Sequence, residues 1–199
     1  MISEKGETSI TVAGKGGMYE LQGGYGLTGN VALVASGSIY APKSMDNGNG
    51  GSGTLFEVGA GYYNPLPSNL LFDVYGLVGF GSMKNQFPEK DEKISAGAFR
   101  VGIQPGFGYK HQYFSVSLNP KIAYLNFSGI NGTLVYDGVD QVQYLKDNKN
   151  NFLLEPAITV RGGLEKVKLQ IQYGYSFNLT NPDFKQDKQI VTVGLNFKL

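Results

Sequence analysis

The chain alternates apolar residues with small, polar or charged ones over most of its length, from about Tyr19 to Leu199. The pattern is clearest over residues 191–198, where valine, leucine and phenylalanine alternate with threonine, glycine, asparagine and lysine. Successive side chains of a strand point to opposite faces, so each such segment predicts a two-faced strand. A soluble barrel turns its apolar face inward, whereas a membrane barrel turns it outward into lipid.

Alternation and turn signals predict an all-β, closed, antiparallel up-and-down barrel in one domain, residues 1–199. About ten strands are expected, near residues 7–14, 17–27, 31–42, 54–63, 69–82, 95–109, 113–127, 151–162, 166–178 and 189–199. Short connections near 28–30, 64–68, 110–112 and 163–165 alternate with long ones near 43–53, 83–94, 128–150 and 179–188. This asymmetry is typical of transmembrane barrels. The first connection, around residues 14–17, is short where a long one is expected, so eight strands remain an alternative.

The two faces of the predicted strands differ in charge. One face is apolar and contains no charged side chain, as at Phe72, Val74, Val101, Ile171 and Tyr173. The opposite face carries four acids and four bases: Glu20, Glu57, Asp73, Glu155, Arg100, Lys121, Arg161 and Lys168. An unpaired buried charge is costly, so this balance predicts a narrow, polar lumen filled by paired side chains. We expect Arg100 and Arg161 each to lie near one of the four acids.

Aromatic residues on the apolar face gather near the two ends of the strands. One group lies toward the short turns and includes Tyr25, Phe72 and Phe107, and the other lies toward the long loops and includes Phe80 and Phe99. Two such groups match the two headgroup levels of a bilayer. Strand propensity explains the presence of aromatic residues but not this clustering.

Three prolines, Pro105, Pro120 and Pro156, fall inside predicted strands on the apolar face. Proline has no amide proton to donate to a neighbouring strand. Each of them therefore predicts a bulge or a local break in the hydrogen-bond ladder.

Composition excludes several classes of protein. The net charge of +1 supplies no basic surface for nucleic acid, and no apolar run of about 18 residues is present. The sequence contains no signal peptide, which export to an outer membrane requires, so we expect Met1 to begin a trimmed chain.

Four segments, residues 3–7, 19–28, 152–161 and 172–178, resemble small outer-membrane β-barrel proteins common in Bacteroidetes. Many of those proteins carry lipoprotein-type signals that end at a lipidated cysteine, and these 199 residues contain no cysteine. The resemblance implies a transmembrane barrel in the bacterial outer membrane, surrounded by lipid. It brings no catalytic residues with it.

No enzyme and no cofactor are expected. His111 is the only histidine and falls in a predicted short turn, which favours a solvated residue over a catalytic base. Residues 24–29 match the glycine spacing of a dinucleotide fingerprint, but they lead into a strand instead of the helix that would bind the phosphates.

The leading functional hypothesis is a non-enzymatic outer-membrane barrel with a structural or partner-binding role, such as an accessory subunit of a larger outer-membrane complex. The alternatives are a narrow channel or conduit for a small or apolar solute, and a soluble calycin-like carrier. Loops on rigid scaffolds often carry binding residues, and the long segment 128–150 is too apolar for a disordered linker. Its candidate partner-binding residues are Leu134, Val135, Tyr136, Val139, Val142 and Tyr144.

Overall fold

Ten antiparallel strands form the closed barrel in a computed structural model that describes residues 1–41, 50–87, 90–184 and 186–199. Six of them are β1 (Thr8–Lys15), β2 (Met18–Gly26), β3 (Val31–Tyr40), β4 (Gly50–Pro65), β5 (Leu70–Phe87) and β6 (Glu92–Lys110). Three are interrupted, as β7 (Phe114–Leu118) with β8 (Lys121–Gly132), β11 (Asn150–Glu155) with β12 (Ala157–Gly163), and β13 (Val167–Tyr175) with β14 (Phe177–Asn178). The tenth is β15 (Gln189–Lys198).

The first strand closes the barrel, because β1 pairs with β2 on one side and with β15 on the other. The prediction of ten strands is therefore confirmed, and the alternative of eight is wrong. The short first connection is a two-residue hairpin turn, since Lys15 pairs with Met18. Gly16 and Gly17 both have positive φ, which a tight hairpin turn of this kind requires.

The predicted long loop 83–94 is wrong for most of its length. Strands β5 and β6 continue as a paired hairpin as far as Phe87 and Glu92. The predicted loop 43–53 lies largely on residues 42–49, outside the described residues, and residues 50–53 belong to β4. Several inward side chains of the extension, among them Met83, Phe87 and Ile94, are apolar and pack together, so the extension breaks the expected polarity.

The segment 128–150 contains an unpredicted helix. After β8, a small hairpin of β9 (Val135–Tyr136) and β10 (Val139–Asp140) leads into α1 (Gln141–Asp147). Asp140 caps α1, because its Oδ1 accepts hydrogen bonds from the backbone N–H groups of Val142 (2.9 Å) and Gln143 (3.1 Å). Seven residues are too few to show a helical period, which explains why the sequence did not reveal α1. No helix among the described residues is long and apolar enough to cross a membrane.

A small hydrophobic core joins this segment to the projecting strands, and we call it the cap core. Its buried members are Ile94, Ala96, Leu134, Val142, Leu145 and Phe184. Ile94 and Ala96 belong to β6 and share the inward face of that strand with Arg100. The segment therefore packs on the lumen side of the projecting strands.

Pro105, Pro120 and Pro156 lie side by side at one level of the barrel wall. The chain breaks between β7 and β8 at Pro120 and between β11 and β12 at Pro156, as expected, whereas β6 continues through Pro105. Pairing resumes in the same register beyond the prolines, with Ile103 opposite Ile122 and Phe107 opposite Leu118. The prolines thus interrupt the ladder without a bulge, because the same number of residues is skipped on both strands.

The end of β8 supplies a matched pair of glycines for a stability test. Gly129 and Gly132 both have positive φ, but a Cβ at Gly132 would overlap the carbonyl oxygen of Lys93, whereas one at Gly129 would meet nothing within 4 Å. We expect Gly129→Ala to lower the free energy of unfolding by about 1 kcal/mol and Gly132→Ala by about 3 kcal/mol, from strain plus overlap. Urea unfolding of both variants measures the difference, and equal losses would contradict the placement of β8 against β6.

Candidate functional site: the charged lumen and the cap

The strand alternation places charge inside the barrel and apolar side chains outside it. Asp73 and Arg100 are only 2% and 8% exposed, whereas Val101 and Ile171 are 44% and 47% exposed. Inverted burial of this kind is the reverse of a soluble barrel, whose interior is apolar. The lumen is therefore the first place to look for a site.

Glu57 is the centre of the lumen charge network. Its carboxylate contacts Arg100 Nε at 3.6 Å and Lys121 Nζ at 2.7 Å. Arg100 also forms an ion pair with Glu155 through Nη2, as expected from the sequence. These four side chains come from β4, β6, β8 and β11, so the network ties one wall of the barrel together from within.

A glycine makes the central contact possible. Strand β5 lies between β4 and β6, and its residue opposite both Glu57 and Arg100 is Gly79. A Cβ at Gly79 would lie 2.7 Å from Glu57 Cγ. The absence of a side chain at Gly79 thus lets two strands that are not neighbours share an ion pair.

The other predicted lumen residues are placed differently. Glu20 accepts a hydrogen bond from Gln22 Nε2 at 2.9 Å. Among the described residues, Arg161 forms no ion pair with any of the four acids near which it was expected to lie. Its Nε donates to Gln170 Oε1 at 2.6 Å instead, because Gln170 is the residue directly opposite on β13. Lys168 Nζ donates to the carbonyl oxygen of His111 at 3.4 Å.

An ion pair that the sequence did not predict lies at the short-turn end of the lumen. Glu7 forms an ion pair with Lys110 and accepts two hydrogen bonds from Ser3, at 2.9 Å from its backbone N–H and 2.8 Å from its hydroxyl. Burial raises the pKa of Glu7, but the charge of Lys110 and the hydrogen bonds outweigh it, so the pKa lies below its usual value. Glu7 lies at the first position of the predicted strand 7–14, whereas the observed β1 begins one residue later, at Thr8.

The middle of the lumen holds a cavity of about 320 Å³. Its lining combines charged residues such as Asp73 and Glu20 with apolar ones such as Val34, Leu55 and Leu77. Among the described residues, no group of three histidine, cysteine, aspartate or glutamate side chains could hold a metal ion. The cavity thus offers mixed polar and apolar contacts.

The structure divides the six candidate partner-binding residues of segment 128–150 into two groups. Leu134 and Val142 are buried in the cap core, and the Tyr144 ring stacks on Phe184 with centroids 5.9 Å apart. The exposed candidates are Val135, Tyr136 and Val139, which lie on the β9–β10 hairpin. The prediction is therefore wrong for Leu134 and Val142 as surface residues, because the fold of this segment turns them toward β6.

Comparisons with known proteins assign no family to the chain. No protein-family model matches it, and no curated protein matches it. The geometry of the lumen, the wall and the cap carries the functional argument.

The shared role of Glu57 can be tested against Glu20, a second lumen glutamate. Glu57→Gln removes the charge that Arg100 and Lys121 share, so we expect the free energy of unfolding to fall by about 3 kcal/mol. Glu20→Gln keeps an acceptor for Gln22 and should cost less than about 1 kcal/mol. Urea titrations of the two variants under identical conditions measure both values. Equal losses would show that Glu57 is not the centre of the network.

Proposed function

We propose that this protein is a non-enzymatic β-barrel of a bacterial outer membrane that has a structural or partner-binding role and presents its cap to another outer-membrane protein. The observation that carries the proposal is the distribution of charge between the two sides of the wall. The apolar outer side is exposed around the whole barrel, while the acids and bases face the lumen. Lipid is the environment in which such a surface is stable.

The height of the apolar surface fits the hydrocarbon layer of an outer membrane. On β5 the outward positions are apolar or glycine from Leu70 to Phe80. Ten residue steps of about 3.3 Å, at a strand tilt of about 40°, span roughly 25 Å, which is the usual height of such a band.

The polarity of the two faces reverses at the upper end of this band. Phe56, Phe80 and Phe99 lie opposite one another on three adjacent strands. One step above them on the same face, the hydroxyls of Thr54 and Ser82 are 3.0 Å apart. Above this level the outward side chains of β5 are polar, whereas the inward Met83, Ile94 and Ala96 belong to the cap core or pack against it. This reversal is what a strand requires when it leaves lipid and enters water.

The contacts inside the lumen favour this proposal over the alternatives. A channel needs an open path, whereas ion pairs among Glu57, Arg100, Glu155 and Lys121 fill part of the lumen. A soluble carrier needs its charged face in water, whereas Arg100 and Asp73 are buried.

An arginine placed in the apolar band tests the contact with lipid. Ile103→Arg should destabilise the barrel in lipid vesicles by about 2–4 kcal/mol, because Ile103 pairs with Gly76 near the middle of the band. Ser82→Arg, on the outward face above the Phe80 level, is the matched control and should cost less than about 1 kcal/mol. Folding titrations in vesicles measure both changes. The membrane assignment fails if the two variants lose equal stability, or if the unmodified protein folds equally well in water without lipid.

The β9–β10 hairpin is the part of the rim that supports a partner-binding role. It is held by the cap core, so its exposed side chains sit on a fixed base. The ring of Tyr136 stacks on Phe87 of the projecting β5–β6 hairpin, with centroids 5.8 Å apart. Val135 and Val139 are 46% and 42% exposed beside it. Exposed apolar residues on a fixed loop are typical of contact with another protein.

Serine substitutions in the hairpin test this role. Val135→Ser with Val139→Ser should leave the barrel folded, because neither residue belongs to the cap core, but should reduce recovery of a co-purifying outer-membrane protein about tenfold. Co-purification from native membranes in mild detergent, with Leu164→Ser in a short turn at the opposite end as control, measures the effect. Unchanged recovery with the hairpin variant would place the contact elsewhere on the barrel.

A further inference from the structure

The short-turn end of the lumen has more positive than negative charge. Four cationic side chains line one small cavity of about 20 Å³ there: Lys110, Arg161, Lys168 and Lys198. Glu7 is the single carboxylate among the described residues that line the same cavity. The balance of charge found in the middle of the lumen is thus absent at this end.

Two of the four cations have a carboxylate partner and two do not. Lys110 pairs with Glu7, and Lys198 Nζ lies 3.0 Å from Glu4 Oε1. Arg161 and Lys168 form no ion pair within the described ranges, and the hydrogen bonds recorded for them go to an amide oxygen and a backbone carbonyl.

Of the two unpaired cations, Lys168 has the poorer hydrogen bonding. Only 7% of it is exposed, and its ammonium group, which has three protons to donate, makes one long hydrogen bond of 3.4 Å. A buried cation without a counter-charge is strongly destabilising. Beside Arg161, the Gln170 Nε2 group is also buried and has no hydrogen-bond partner, while its Oε1 accepts from Arg161. Gln170 itself does not line the cavity, but Arg161, which donates to it, does.

The strand register brings these groups to one place. Lys110, Ser115, Arg161 and Gln170 lie opposite one another across β6, β7, β12 and β13. Lys168 lies opposite Asn196 on β15. Both rows face the lumen at the short-turn end, so a particle in the cavity would meet donors from several strands.

We propose that this cavity binds a single monatomic anion of the chloride class, held mainly by Lys168 and Arg161. A volume of about 10–15 Å³ is enough for one water-sized particle, so about 20 Å³ suits one small ion. A phosphate or sulfate ion is larger than this cavity, so it could enter only if the Glu7 side chain moved out of the lining. The anion supplies the negative charge that Lys168 and Arg161 lack, and it thereby stabilises the short-turn end of the barrel. This inference is independent of whether the wall contacts lipid.

Bromide provides a direct test on the unmodified protein, because it replaces chloride and scatters anomalously. Crystals grown in sodium bromide should show an anomalous peak inside the cavity between Lys168 and Arg161. The absence of a peak there, in crystals that show bromide at other positions, would overturn the proposal.

Thermal unfolding supplies a second test that requires no crystal. The melting temperature should rise with chloride and saturate, by about 5 °C relative to gluconate at equal ionic strength. Lys168→Met should abolish the difference between the two salts, whereas Lys166→Met, at an exposed position two residues away, should retain it.

Three results of the thermal experiment would overturn the proposal. They are equal melting in chloride and gluconate, a chloride effect that persists in Lys168→Met, and stabilisation by sulfate but not by chloride. The last would indicate a larger anion that displaces Glu7. Because the comparison is made between salts for each variant, a general loss of stability in Lys168→Met does not affect the conclusion.

Discussion

The structure depends on the closure of the backbone hydrogen-bond ladder between β1 and β15. An open sheet with this composition would leave two edges unpaired and one apolar face without cover. Closure removes both edges and divides space into a lumen and an outside, so that each residue of a strand belongs to one or the other. Closure also buries the charges on the inward face. Because they share a confined space, the inward charges of different strands must compensate one another.

The inward charges are compensated in different ways at different levels of the lumen. In the middle, Gly79 allows Glu57 to reach Arg100 across an intervening strand, and Lys121 and Glu155 complete the network. Above the level of Phe80 the inward face becomes apolar, and the cap core takes the place of ion pairs. At the short-turn end, Lys168 has neither an ion-pair partner among the described residues nor an apolar replacement, which is why a bound anion is proposed there.

The expected strands, turns and faces followed from alternation because alternation is a local property of the chain. The structure departs from expectation where the surroundings of a barrel strand change along its length, or where contacts depend on residues distant in the chain. Residues 83–94 were predicted as a loop, whereas they largely extend β5 and β6, and Met83, Phe87 and Ile94 there reverse the polarity seen lower on the same strands. Leu134 and Val142 were predicted to bind a partner, and no local pattern shows that α1 folds back over β6 and buries them. Arg161 was expected to lie near an acid, but its hydrogen-bond partner is Gln170, which follows from the register between β12 and β13.

The sequence by itself determined that the chain forms two-faced strands, about ten of them, with charge confined to one face, since side chains alternate with period two wherever a strand forms. The balance of charge predicted that the charged face points inward, but only the tertiary structure decided which charges meet and that the cap packs over the upper lumen. The physical reason is that these outcomes depend on ring closure and on the register between strands. Both bring together residues far apart in the chain, such as Glu57 and Lys121, whose contact leaves no trace in local periodicity.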